Sequence, residues 1–257
     1  MTPTDEYAFI GDPPMIRPEA SEVHISCTFT WDIPEAQRLA QAWGQYYSTV
    51  RLGGPALGSP ADGFIPGRYV KSGMLFTSRG CNNHCPWCLV PEREGRLREL
   101  PIQQGHNILD NNVLQCSKPH LDALFAMLRQ QHDIRFSGGL DSRLLTEDIA
   151  EQLRSLRAKF LFFACDTPEA VKSLERARHI FGECSRERLR CFVMIGYNGE
   201  SLDQAEERLK AVWQIGFMPF AQLYQPPDRH ITYPREWRTL ARVWSRPALM
   251  KRAMRHD

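Results

Sequence analysis

An α/β protein with a parallel sheet, arranged as a partial, TIM-like (β/α)6 barrel, is the fold the sequence predicts. Three observations carry the prediction. Short apolar runs alternate with amphipathic segments from Gly73 onward, six such runs occur before Tyr224, and turn or cap residues punctuate them. Strands alternating with helices imply parallel strands joined by right-handed crossovers. In a barrel of this kind the residues just after each strand share one mouth, where chemistry is usually found.

The first strand reads Gly73 to Ser78 and runs into a cysteine-rich loop and the segment Pro91 to Pro101. The second spans His106 to Asp110, before a helix from Lys118 to Gln131. The third, Asp133 to Ser137, leads through Gly138-Gly139 to a helix over Thr146 to Leu156. The fourth, Lys159 to Ala164, precedes a helix that Thr167 can cap with Pro168 at its first position, where a missing N–H costs nothing. The fifth, Arg190 to Gly196, precedes a helix opened by Ser201 and Gln204, spaced as a capping box. The sixth, Phe217 to Tyr224, ends at Pro226-Pro227.

Residues 1–72 read differently. Glu22 to Phe29, a helix from Pro34 to Tyr46 and Thr49 to Gly54 suggest a small βαβ appendage, and Pro55 to Gly67 a linker or lid. Residues 73–227 form the expected barrel core, and 228–257 a basic helical extension. That tail holds eight Lys or Arg against three acids in a chain whose net charge is only +2. It reads as an amphipathic helix with interleaved Trp237 and Trp244. Its surface over 235–255 could track nucleic-acid phosphates, although the favoured reading is a helix closing the open barrel with its arginines solvated.

At 257 residues, 42% hydrophobic and 24% charged, the chain can bury a full core, and its composition excludes predominant disorder. No stretch approaches 18 uninterrupted apolar residues, so a membrane span or membrane partner is not expected. The N-terminus lacks the basic flank and apolar run of a signal peptide, which makes a cytoplasmic location the expectation. In that reducing compartment eight cysteines suggest metal or redox chemistry rather than disulfides.

Cys81, Cys85 and Cys88 stand as C-x3-C-x2-C on one loop directly after a strand. Three thiolates can ligate three irons of a [4Fe-4S] cube and leave the fourth iron open for a substrate or cosubstrate. Zinc is the competing soft-ligand reading, with a non-catalytic nucleic-acid-binding module as its consequence. Zinc would need a fourth ligand, and His84 lies too close to Cys85 to serve without strain. Cys27, Cys165 and Cys191 fall at strands and read as core. Cys116 and Cys184 lie in loops, and a second cluster built from Cys116, Cys165, Cys184 and Cys191 has no paired spacing to support it.

The cysteine spacing, with Trp87 just before the last cysteine, resembles the signature of the radical S-adenosylmethionine superfamily. The resemblance covers about Gly73 to Pro227. It implies a [4Fe-4S] cluster held by Cys81, Cys85 and Cys88, whose open iron chelates the amino and carboxylate groups of S-adenosylmethionine. It also implies a one-electron donor such as flavodoxin or ferredoxin. Reductive cleavage then gives methionine and a 5′-deoxyadenosyl radical that abstracts hydrogen from a substrate. The resemblance further implies cosubstrate contacts by Trp87, Asp110, Gly138, Gly139, Asp141, Arg143 and Asp166, with Gly196 near the adenine. Cys165 or Tyr224 could donate a hydrogen atom to a product radical. No catalytic residue is singled out. Because of the tail, the first expected substrate is a nucleic acid base or modified nucleotide, and the second a small metabolite or peptide.

Glu92 to Leu100 is similar to a segment of the branch that carries an N-terminal cobalamin-binding domain, and the appendage resembles a trimmed piece of that domain. Cobalamin itself is not predicted. The chain has no Asp-x-His-x-x-Gly, and His24 sits in Val23-His24-Ile25-Ser26.

Overall fold

Two parallel strands, β1 (Val23–Ser26) and β2 (Val50–Gly53), flank the helix α1 (Ile33–Gly44), with Val23 opposite Val50. This is the βαβ unit expected of the appendage, and it forms its own two-stranded sheet. The computed structural model describes residues 3–57 and 69–255. The linker expected over Pro55 to Gly67 therefore lies outside the described residues from 58 onward, and its first three residues form a 3-10 turn. His24 hydrogen-bonds Tyr69 and pairs with Glu22 at 2.9 Å.

The main sheet begins with β3 (Met74–Leu75). The strand expected over Gly73 to Ser78 is broken, because the chain turns off the sheet after Leu75. β4 (Ser78–Arg79) instead pairs antiparallel with β5 (Arg98–Glu99), with the short helix α2 (Val90–Glu94) between them. Then follow β6 (Asn107–Ile108), α3 (Lys118–Leu128), β7 (Arg135–Leu140), α4 (Glu147–Ser155), β8 (Phe160–Ala164) and α5 (Ala170–Phe181). β9 (Leu189–Ile195), α6 (Leu202–Ile215) and β10 (Met218–Leu223) complete the series. The six strands lie in the order β10-β9-β8-β7-β6-β3, and every neighbouring pair is parallel.

Strand periodicity decides which face meets the helices. Leu161 and Phe163 of β8 and Leu189, Cys191, Val193 and Ile195 of β9 are wholly buried in one core with Leu153, Leu174, Ala177, Leu209 and Val212 from α4, α5 and α6. Each such leucine or phenylalanine contributes about 1.5–3 kcal/mol by leaving water. The intervening residues, Phe160, Phe162, Arg190, Phe192, Met194 and Phe220, are only half-buried and occupy the opposite face.

Local signals set most helix starts. Thr146 caps α4 through the Ile149 N–H, and Ser201 and Gln204 form the expected capping box of α6. Replacing Ser201 with alanine is expected to cost about 1 kcal/mol, read as a lower urea midpoint at unchanged slope. The α5 start differs from expectation. Thr167 and Pro168 form a turn whose Thr167 carbonyl accepts from the Ala170 N–H, and the helix begins only at Ala170.

The tail is two helices, not one: α7 (Arg235–Trp244) and α8 (Pro247–Ala253). Pro247 disfavours helical geometry at Arg246, which is extended at φ −118° and ψ 110°. Leu240, Trp244 and Met250 join the core, whereas Arg235, Arg238, Arg242, Arg246, Arg252 and Arg255 are exposed.

Candidate functional site: a pinned three-cysteine loop

The β4–β5 pairing closes residues 80–97 into a loop that stands beside the carboxyl ends of the parallel strands. Arg79 and Glu94 form an ion pair at its neck, and Glu94 also accepts from the Gly80 N–H (3.2 Å) and Asn111 Nδ2 (2.6 Å). Gly80 turns at φ +82°, and a Cβ there would lie 2.3 Å from the Arg96 carbonyl oxygen, so only glycine fits. The Cys81 N–H donates to the Gly95 carbonyl (3.1 Å), and the Cys88 N–H to that of Cys85 (3.0 Å).

Side-chain amides then tie this loop to the strand ends. Gln115 accepts from the Asn82 N–H (2.8 Å) and donates to Asn83 Oδ1 (3.1 Å), while Asn83 Nδ2 donates to Asp141 Oδ2 (3.0 Å). Trp87 meets the ring of Tyr197 edge-on at 5.5 Å, and Tyr197 meets Tyr224 at 4.9 Å. Sequence reasoning missed Asn82, Asn83, Glu94 and Gln115. Asparagines in a loop ordinarily read as turn formers, and nothing in their spacing marks them as long-range ties.

All three loop cysteines are free, Cys81 and Cys85 half-buried and Cys88 exposed, whereas Cys27, Cys116, Cys165, Cys184 and Cys191 are buried. Burial pushes the Cys85 thiol up, and the neighbouring Cys88 and Cys81 add to the shift against Arg143. The Cys88 thiol is also pushed up, because neighbouring groups shield its sulfur from water although the residue reaches the surface, and this outweighs the opposing bond from the Val90 backbone. Among the described residues no group of three or more His, Cys, Asp or Glu is gathered to hold a single metal ion. Cys165 is completely buried on the helix side of β8, which removes it as a hydrogen donor to the cysteine loop's face.

The other expected residues fall around the loop in different states. Asp141 caps the turn after β7, and Arg143 grips its carboxylate through Nε (2.8 Å) and Nη2 (2.6 Å). Burial works to raise Asp141, but the bonds from Arg143 and Asn83 hold it below the usual aspartate range. Asp166 goes the other way: burial raises it, although the Met194 N–H (2.9 Å), Arg208 and Trp87 favour its anion. Asp110 is only 1% exposed, and both its oxygens are taken by Thr77 and Ser78.

The backbone of Gly138 lies against that of Asp110, where a Cβ would come within 2.0 Å of the Asp110 carbonyl oxygen. Gly139, by contrast, faces open space. The Gly196 N–H donates to Glu200 Oε2 (2.8 Å), beneath the ring of Tyr233.

One buried acceptor beside the loop has no partner. Asn112 is 4% exposed and gives its Nδ2 to Asp141 (3.3 Å), leaving Oδ1 unbonded. Buried polar atoms are rarely left so, and this one could receive a ligand N–H. By chemistry the three free thiols on this one tethered loop are soft donors, with an unused acceptor and an Asp–Arg pair near them, although the described residues do not gather them around a single point.

Together these features define an α/β protein whose parallel sheet presents a tethered three-cysteine loop. No family model matches the chain, and no curated protein matches it.

Proposed function

We propose that this protein is a radical S-adenosylmethionine enzyme on a partial (β/α)6 barrel. The observation that carries the reading is the C-x3-C-x2-C loop, tethered by Asn82, Asn83 and Gln115 next to the ends of β6 and β7. The barrel reading is supported by the sequential strand order. A doubly wound sheet reverses order at a switch point, whereas an unbroken succession of right-handed crossovers keeps its helices on one side.

Cys81, Cys85 and Cys88 would hold a [4Fe-4S] cluster. When bound, the cluster supplies the electron that cleaves S-adenosylmethionine to methionine and a 5′-deoxyadenosyl radical. The chain's own residues bind and orient. Arg143, held in its fork by Asp141, offers its remaining N–H groups to a carboxylate, and Asn112 Oδ1 offers an acceptor to an amino group. Asp166 and Tyr197 fix Trp87 at the rim of the loop. Asp110 acts as a positioning residue, locking β4 to the strand that ends before it.

Anaerobic reconstitution with iron and sulfide, followed by dithionite and S-adenosylmethionine, tests the reading directly. The expected result is a brown protein with about four irons per chain that forms 5′-deoxyadenosine. A colourless protein that retains zinc and makes no 5′-deoxyadenosine would refute it.

A further inference from the structure

The sheet face turned away from the helices carries an arrangement the cysteine loop does not use. Phe162 of β8 and Phe192 of β9 stack at 4.4 Å, and Phe220 of β10 meets them edge-on at 6.4 and 5.8 Å. At the amino-terminal end of the same face, Arg135 and Arg190 lie over the ring of Phe160, 5.5 and 3.9 Å from its centroid.

Neither arginine has an ion-pair partner among the described residues. The nearby Asp133 faces Lys159 at 3.7 Å, and Glu187 is engaged by Lys251 at 2.9 Å. Arg190 reaches only the Glu187 carbonyl at 3.4 Å, and Nε of Arg135 is buried with no acceptor. Burial lowers Arg190, and the charge of Arg135 lowers it further, so the two guanidinium groups repel each other in a partly desolvated place. A shared anion relieves both costs.

We propose that this face binds a small planar substrate bearing a carboxylate or phosphate, its ring against Phe162, Phe192 and Phe220 and its anionic group between Arg135 and Arg190. The proposal rests on the radical S-adenosylmethionine reading for what happens to the substrate, but not for its binding. From Arg190 to Met194 is about 13 Å along the strand, so a ligand anchored at the arginines extends towards the cysteine-loop end of the sheet. The arginines lie at the end of the strands remote from that loop. Two guanidinium groups meeting over one ring match a single anionic group, which favours a monomer over the repeated phosphates of a nucleic-acid chain.

The test measures binding by calorimetry with the full-length protein, with and without its reconstituted cluster. The probes are 2-naphthoate and adenosine 5′-monophosphate, each against its neutral counterpart, 2-naphthamide and adenosine. At least one anion is expected to bind about tenfold more tightly than its counterpart, and the preference should vanish in the Arg135→Gln/Arg190→Gln double variant. Phe192→Ala should weaken the anion while preserving its preference over the neutral form.

Which anion wins distinguishes carboxylate from phosphate substrates. Equal affinity for charged and neutral probes, or an anion preference that survives the double variant, would overturn the proposal. So would tighter binding of single-stranded oligonucleotides than of monomers at these arginines. Formation of 5′-deoxyadenosine, measured on the same preparations, reports separately on the cluster reading, so either claim can fail alone.

Discussion

Replacing any one of Cys81, Cys85 or Cys88 with alanine is expected to abolish 5′-deoxyadenosine formation and to drop bound iron from about four per chain to a small residue. The fold should survive the change. None of the three thiols belongs to the core, and apart from the Asn83 N–H, which donates to Cys81 Sγ at 3.4 Å, the loop is held by backbone and amide bonds that do not involve sulfur: Cys81 N–H to Gly95, Asn82 to Gln115, and Asn83 to Asp141. Far-UV circular dichroism and the melting temperature of the cluster-free variants should therefore match those of the cluster-free wild type. Alanine at Cys116 or Cys184 reverses the pattern. Both are buried, so stability should fall by about 1–2 kcal/mol while iron stays near four. Retention of a full iron complement by all three loop variants would defeat the cluster assignment, and a count near eight in the wild type would bring back a second cluster.

What can be read from the residues and what cannot divides along physical lines. Alternating apolar strands and the Ser201–Gln204 cap are local signals, and β7 to β10 and α6 lie close to where those signals put them. The break after Leu75 depends on the distant β5 segment, where Ser78 pairs with Glu99 and Arg79 with Arg98, and no local pattern near Gly73 reveals it. Thr167-Pro168 misleads at the start of α5 because it satisfies both a helix cap and a turn, and packing rather than propensity decides between them.

At the site, the cysteines are legible because their spacing is itself the chemistry. Asn82, Asn83, Gln115 and Glu94 are not, since a tether between residues 14 to 58 positions apart leaves no periodicity. The arginines of the tail illustrate the opposite error. They form a conspicuous run in the sequence but are exposed on helices whose apolar sides close the core, whereas Arg135 and Arg190, isolated in the sequence, meet over one ring.

Asp110 offers the second large effect, and its sign can be worked out. Its carboxylate accepts from the Thr77 N–H (2.7 Å), Thr77 Oγ1 (2.6 Å) and Ser78 Oγ (2.7 Å), and so joins β6 to the segment that launches the cysteine loop. Asp110→Ala strands three buried donors and should cost roughly 3 kcal/mol or more, since each unsatisfied group carries about 1–3 kcal/mol. Asp110→Asn keeps the shape: its amide oxygen can accept from the Thr77 N–H, and its NH2 can donate to the two hydroxyls once they rotate.

Burial raises the Asp110 pKa in the folded state despite those hydroxyl bonds and the opposing pull of His120. A raised folded pKa means that the folded protein holds the proton more tightly than the unfolded chain. The stabilisation is fully present below the ordinary aspartate pKa and is lost as pH rises through the folded value. The amide of the Asp110→Asn variant cannot ionise, so that variant escapes this loss. Urea unfolding at a series of pH values from about 4 to 8 should show the stability advantage of wild type over Asp110→Asn shrinking as pH rises. An advantage that instead grows with pH would mean that the hydroxyl and amide donors hold the anion more firmly than burial opposes it. The carboxylate would then act as a charged lock on the cysteine loop rather than as a buried, proton-hungry hinge.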